Sequence, residues 1–178
     1  MLAGNPNVGK STVFNALTGS HQHTGNWSGK TVDGASGRFS YNGADYIMDD
    51  VPGTYSLVAR SREEAVARDI ICFSEADVVV VVCDATCLSR NLNLVLQIME
   101  VTPRVVLCVN LMDEAKKKGI DVDIKLLEQR LCIPVVATAA RKGKGLEELQ
   151  KKLELVAFEK DIKVNLPVPK YPEKLEKA

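Results

Sequence analysis

The sequence predicts an α/β fold in which a mostly parallel β-sheet carries helices on both faces. Apolar β-branched runs alternate with helical apolar stripes along most of the 178 residues, an order typical of strand–helix units. The run from Val78 to Cys83 is apolar at every position and suits a strand that is buried on both faces. A glycine-rich stretch at residues 4–11 leads directly into the first helical pattern, which is typical of a loop between strand and helix.

Composition limits the classes of protein that fit this chain. At 178 residues, 46% of them hydrophobic, it is most simply one domain with a short tail. The 23 basic and 23 acidic residues balance, so there is no global electrostatic argument for a nucleic-acid partner, and none is expected. The longest apolar run, Val78 to Cys83, is far too short to span a bilayer.

Turn and capping residues indicate where elements begin in the first half of the chain. Asn42-Gly43 separates Arg38–Tyr41 from Tyr46–Asp49, which predicts a β-hairpin. Ser61 and Glu64 have the spacing of a capping box, which predicts that a helix follows.

Similar signals continue in the second half. Ser89 is expected to cap a helix, and residues 105–109 form the next apolar strand. Asp123 is expected to cap another helix. Residues 134–137 predict the last strand, and the leucines that begin at Leu146 line the last helix.

Residues 4–11 read GNPNVGKS, a complete phosphate-binding loop. Its glycines let the backbone curl so that several N–H groups point at an anion, and the following helix adds its positive N-terminal end. Lys10 is expected to reach the β- and γ-phosphates, and the Ser11 hydroxyl to bind Mg²⁺. The alternative is a glycine-rich turn before an ordinary helix. The expected phosphate-binding residues are Gly4, Asn5, Pro6, Asn7, Val8, Gly9, Lys10, Ser11 and Thr12.

Two further segments are candidates for the γ-phosphate and Mg²⁺. Thr31 lies in a long polar loop expected over residues 20–36, where a hydroxyl can reach Mg²⁺ and an N–H the γ-phosphate. Asp50 would hold Mg²⁺ through a water, and the Gly53 N–H would meet the γ-phosphate. Each segment taken singly also fits an ordinary loop or strand-end turn. The residues expected at the site are Gly29, Lys30, Thr31, Val32, Asp50, Val51, Pro52 and Gly53.

The last two segments are candidates for binding the base. The Asp113 carboxylate can accept both N1–H and the N2 amino group of guanine, a bidentate pattern that adenine cannot offer. A backbone N–H after the last strand can donate to guanine O6. All four segments follow predicted strands in order after a phosphate loop, and this combination favours a guanine nucleotide, GTP or GDP. The residues concerned are Asn110, Leu111, Met112, Asp113, Ala137, Thr138 and Ala139.

Four stretches resemble the GTP-binding domain of the FeoB family of bacterial ferrous-iron transporters. They are residues 4–11, residues 25–32 (GNWSGKTV), residues 50–57 (DVPGTYSL) and residues 110–115 (NLMDEA), and the likeness extends over nearly all of residues 1–155. It implies a Ras-like P-loop GTPase fold with a six-stranded sheet and one antiparallel edge strand. It also implies a place on the cytoplasmic face of the bacterial inner membrane.

The resemblance divides the chain into two parts. Residues 1–157 are expected to form the GTP-binding domain, and residues 158–178 a linker toward a helical and membrane region that this chain lacks. The implied partners are a guanine nucleotide and the membrane-embedded remainder of the transporter. Nucleotide-dependent self-association is left open.

Two residues differ from those usual in other GTPases and make the expected function more specific. Leu111 replaces the usual lysine of the NKxD motif, so modest affinity and fast GDP release are expected. Thr54 replaces the glutamine that orients the attacking water in Ras-like enzymes. In the family, the asparagine that matches Asn7 coordinates K⁺. The resemblance therefore implies hydrolysis residues Asn7, Lys10, Thr31, Gly53 and Thr54, with Ser11, Thr31 and Asp50 at Mg²⁺ and Asn7 at K⁺.

Three interpretations follow from these residues. The first is a Mg²⁺-dependent GTPase that hydrolyses GTP to GDP and phosphate, stimulated by K⁺. The second is a switch for Fe(II) uptake in which residues 20–36 and 52–60 order around the γ-phosphate. The alternative is a soluble GTPase of ribosome assembly. Such proteins usually carry a basic RNA-binding appendage, which this neutral chain does not show.

Overall fold

The structure is a computed structural model that describes residues 1–19, 22–26 and 33–159. Within these ranges the strands are β1 Leu2–Gly4, β2 Gln22–Asn26, β3 Asp33–Tyr41, β4 Ala44–Asp50, β5 Val79–Asp84, β6 Val105–Asn110 and β7 Val135–Ala137. The helices are α1 Lys10–Thr18, α2 Arg62–Phe73, α3 Leu88–Val101, α4 Met112–Lys117, α5 Ile124–Leu131 and α6 Leu146–Phe158. Short 3₁₀ turns cover Ala85–Cys87 and Ala140–Lys142.

The strands form one mostly parallel sheet in the order β2-β3-β4-β1-β5-β6-β7. Strand β1 pairs in parallel with β4 and β5, and β6 pairs in parallel with β5 and β7. In the described ranges β3 alone runs against the others, because it is antiparallel to both β2 and β4. The predicted α/β fold with one antiparallel strand is confirmed. Strand β2 adds to the six expected strands and lies outside β3, which is therefore not the edge.

Strand β2 also corrects the loop expected over residues 20–36. Residues Gln22–Asn26 pair in register with residues 33–37 of β3, so the described parts of this segment belong to the sheet. A β-ladder is made by backbone N–H and C=O groups, which polar residues and glycines also carry. A polar composition therefore did not exclude strand pairing here.

The sheet separates two apolar layers, and β5 contributes to both. Val79 and Val81 pack into the layer below α2 and α3, whereas Val80 and Val82 pack into the layer below α1 and α6. All four side chains are buried, as the apolar run predicts. Since a parallel sheet brings the carboxyl ends of its strands to one edge, this packing fixes the loops that follow β1, β5, β6 and β7 on a rigid base.

Most of the predicted helix starts are confirmed. The Glu64 N–H donates to the Ser61 hydroxyl at 3.1 Å, and the Leu126 N–H donates to the Asp123 carboxylate at 2.9 Å. The cap at Ser89 is wrong: α3 begins at Leu88 with no side-chain cap, because a 3₁₀ turn already starts after β5. None of the described helices combines the length and apolarity that crossing a bilayer requires.

Candidate functional site

The phosphate loop connects β1 to α1 and lies against β6. Gly9 is the N-cap of α1 and has φ 83°, a left-handed conformation that favours glycine. A Cβ at this position would lie 2.5 Å from Asn110 Nδ2, so the close approach of the Asn110 side chain also requires glycine here. A cavity of about 640 Å³ opens here. Its lining consists of Asn5, Pro6, Asn7, Gly9, Lys10, Ser11, Thr12, Pro52, Gly53 and Glu63.

The segment after β4 packs directly on the phosphate loop. A Cβ at Gly53 would lie 3.2 Å from the Pro6 nitrogen, and the Thr54 N–H donates to the Gly4 carbonyl at 3.2 Å. Thr54 is 1% exposed, and its hydroxyl donates to the Ser56 carbonyl at 2.8 Å. The structure therefore brings the two predicted phosphate segments together. Thr31 and its neighbours at residues 29, 30 and 32 lie outside the described residues.

Lys10, which lines this cavity, forms an ion pair with Asp50, and their side chains are 11% and 15% exposed. Burial raises the pKa of the Asp50 carboxyl, and the ammonium of Lys10 opposes that rise. The lysine predicted for phosphate and the carboxylate predicted for Mg²⁺ thus lie within contact distance. Ser11 lines the same cavity.

Asn110 joins the phosphate loop to the loops after β6 and β7. Its side-chain amide donates to the Val8 carbonyl at 3.1 Å. Its Oδ1 accepts from the Thr138 hydroxyl at 3.0 Å and from the Ala140 N–H at 3.1 Å. The residue is 1% exposed. Asn110 therefore holds three loops in one arrangement, which is more than the turn-forming role that sequence alone also allowed.

The predicted base-reading segment forms the start of a short helix. Leu111 adopts φ 61° as the N-cap of α4, which places Asp113 in the first helical turn. The Met112 N–H donates to the Thr138 carbonyl at 3.2 Å, so this segment is held to the loop after β7. The helix α4 was not predicted, because six residues are too few to show a helical period.

Lys142 contacts Asp113, the residue predicted to read the base, and the sequence did not predict this contact. Its ammonium lies 2.9 Å from Asp113 Oδ2. The hydrogen bond from Lys142 is the main reason that the pKa of the Asp113 carboxyl lies below its usual value. No spacing rule connects a lysine in the 3₁₀ turn after β7 with an aspartate in α4, so the sequence carried no signal for this contact.

Helix α3 holds the segment that follows Gly53. Gln97 Oε1 accepts from the Leu57 N–H at 2.7 Å and from the Ser56 hydroxyl at 3.1 Å. The guanidinium of Arg90 lies 4.8 Å from the centre of the Tyr55 ring, within cation–π range. These contacts were also missed, although they fix the peptide next to the expected γ-phosphate position.

Replacing Gln97 with Ala is expected to release this segment from α3. The Leu57 N–H loses its acceptor, so its amide exchange with solvent should accelerate at least about tenfold, which corresponds to ~1.4 kcal/mol of local opening. Amide exchange followed by NMR measures this. Asn93→Ala on the exposed face of the same helix is the control. Unchanged exchange at Leu57 in the Gln97 variant would contradict the role given to this side chain.

Comparison with known proteins places the chain in a family. The family described as ferrous iron transport protein B matches residues 1–153. The chain belongs to the FeoB family. The Fe(2+) transporter FeoB of Escherichia coli strain K12 is 40% identical over 153 residues, which are 84% of this chain and 20% of that protein. The chain therefore spans about a fifth of the length of the curated relatives it matches.

Solved FeoB structures share the fold described above. The G domain of the T. maritima FeoB iron transporter has a TM-score of 0.82 at 44% identity, and covers 88% of this chain and 96% of its own. The T. maritima cytosolic domain in its GMPPNP form has a TM-score of 0.93 at 43% identity, and covers 99% of this chain and 69% of its own. This chain therefore contains the FeoB G domain with its P-loop GTPase fold.

Proposed function

We propose that this chain binds guanine nucleotides and hydrolyses GTP, as the switch domain of a ferrous-iron transporter. The observation that carries the proposal is the contact network of Asn110, which joins the phosphate loop to the loops after β6 and β7. A nucleotide that contacts both the phosphate loop and the loops after β6 and β7 needs them at a fixed distance from each other. The T. maritima cytosolic domain, solved in GDP and GMPPNP forms, supports the choice of ligand.

The donor groups at the phosphate end fit Mg²⁺. The Ser11 hydroxyl and the Asp50 carboxylate offer hard oxygen ligands, which Mg²⁺ prefers. Bound Mg²⁺ would neutralise part of the phosphate charge. Lys10 would then leave Asp50 for the phosphate oxygens, so the ion pair of the free protein is exchanged for two ligand contacts. Thr31 remains a predicted third ligand.

Hydrolysis is assigned to positioning by backbone and by cations. Thr54 has no side-chain amide to orient water, and its backbone N–H and its hydroxyl already donate to the Gly4 and Ser56 carbonyls. Gly53 is therefore the better candidate for a backbone contact to the γ-phosphate. The exposed Asn7, on the phosphate loop with φ 65°, offers an amide oxygen that suits K⁺, the role its family counterpart implies.

The proposed activity is tested by GTP turnover in KCl against NaCl. We expect hydrolysis to be at least about tenfold faster in KCl, because a cation at Asn7 stabilises charge that develops on the phosphates. Asn7→Ala should remove this difference while GDP binding persists, and Asn93→Ala should behave as wild type. Equal rates in both salts would exclude the K⁺ role, and absence of turnover in either salt would exclude the GTPase proposal.

The wider role extends beyond the described domain. We place the domain at the cytoplasmic face of the membrane, where ordering of residues 52–60 by GTP would act on the remainder of the transporter to regulate Fe(II) uptake. Family membership removes the reason for the ribosome-assembly alternative. The boundary at residue 157 and the linker role of residues 158–178 stay predictions, as does self-association.

A further inference from the structure

The ion pair between Lys142 and Asp113 occupies the carboxylate that is proposed to read guanine. Lys142 ends the 3₁₀ turn Ala140–Lys142, and the first residue of that turn is anchored through its N–H to Asn110. The backbone therefore fixes Lys142 beside the base segment. The two side chains are 52% and 22% exposed, so the pair lies at the rim of the site and the lysine can leave without burying a charge.

A guanine base and the Lys142 ammonium would compete for the same carboxylate, that of Asp113. Guanine donates N1–H and an N2 amino hydrogen to the two carboxylate oxygens, and charge-assisted bonds of this kind depend on the full negative charge of the acceptor. Lys142 already donates to Oδ2 at 2.9 Å and neutralises that charge. Among the described residues, Lys142 carries the one cationic side chain found within ion-pair distance of Asp113.

We propose that Lys142 is an internal competitor for Asp113, which weakens guanine-nucleotide binding and speeds nucleotide release. This inference rests on the proposed function, since it concerns the release of the nucleotide from the same site. It differs from the effect expected of Leu111, which would reduce affinity by omitting a favourable contact. Lys142 acts instead by stabilising the free protein, so its contribution must be overcome each time a nucleotide binds.

The strength of the pair limits the size of the effect. Exposed ion pairs typically change an equilibrium constant by about fivefold or less, and salt weakens them further. Removing Lys142 should therefore tighten GDP binding by about twofold to fivefold at low salt. The gain should appear mainly as slower dissociation, because the base contacts form after the nucleotide has reached the site.

The test measures the Kd and the dissociation rate of a fluorescent GDP for wild type and Lys142→Met. Lys144→Met is the matched control, since Lys144 lines the 690 Å³ cavity beside Asp113 but forms no ion pair with it among the described contacts. We expect tighter binding and slower release only in the Lys142 variant. The difference should shrink between about 0.05 M and about 0.5 M salt.

A double variant isolates the contact. With Asp113→Asn in place, Lys142→Met should leave the Kd for xanthosine diphosphate unchanged, because the carboxylate that it competes for is gone. An unchanged or weaker GDP affinity in Lys142→Met alone would overturn the inference, and weaker affinity would identify Lys142 as a residue that orients Asp113. If wild type binds no GDP, the proposed function fails as well, so the two failures are distinguishable.

Discussion

Replacing Asp113 with Asn is expected to weaken GDP binding at least about a hundredfold and to favour xanthosine diphosphate. The carboxylate can accept two hydrogen bonds from guanine, and bonds to a charged acceptor contribute ~1.5–3 kcal/mol each. The amide of Asn instead points an NH₂ group at the guanine amino group. Xanthine carries a carbonyl there, so it accepts the hydrogen bond that guanine cannot.

Dissociation constants for GDP and xanthosine diphosphate, measured side by side, check this exchange of preference. Asp121→Asn is the matched control, because Asp121 is an exposed aspartate that lines the cavity next to Asp113. It should leave both constants unchanged. If Asp113→Asn keeps its preference for guanine, another residue reads the base and the assignment of Asp113 is wrong.

Replacing Asn110 with Ala is expected to lower the free energy of unfolding by about 3 kcal/mol, even without nucleotide. The variant loses three hydrogen bonds at a site that is 1% exposed. Each bond contributes ~1 kcal/mol, and buried groups left without a partner add to the loss. The Val8 carbonyl and the Ala140 N–H lose the partner that holds the phosphate loop against the loop after β7.

Urea denaturation of the nucleotide-free protein measures this loss. Asn93→Ala, an exposed asparagine on α3, should change the free energy by less than about 0.5 kcal/mol. A loss below about 1 kcal/mol in the Asn110 variant would mean that the three loops are held by other contacts, and that Asn110 serves the ligand alone.

The fold was predictable where local chemistry agrees with the tertiary contacts. The β5 run indicated a strand buried on both faces, and Ser61 and Asp123 form the predicted caps. The cap at Ser89 failed because Asp84 starts a turn earlier, by accepting from the Thr86 N–H at 2.7 Å. Strand β2 was not predicted because its pairing depends on the backbone of β3, and polar side chains do not indicate such pairing.

The same difference between local motifs and contacts made by distant residues applies to the candidate site. The sequence predicted site segments in the phosphate loop, residues 50–53 and residues 110–113 because each motif consists of neighbouring residues. Gln97 lies 40 residues from Leu57, and Lys142 meets Asp113 only because β6 and β7 are adjacent in the sheet. Contacts of this kind arise from topology, and no periodicity in one sequence predicts them.

The contact between Lys10 and Asp50 also bears on how a nucleotide arrives. A lysine whose charge is cancelled by its neighbour projects little positive field into solvent, and the chain as a whole carries no net charge. We therefore expect little long-range steering of an approaching triphosphate toward the opening. Capture would then depend on random encounter, and the polyphosphate would have to displace the aspartate from the lysine.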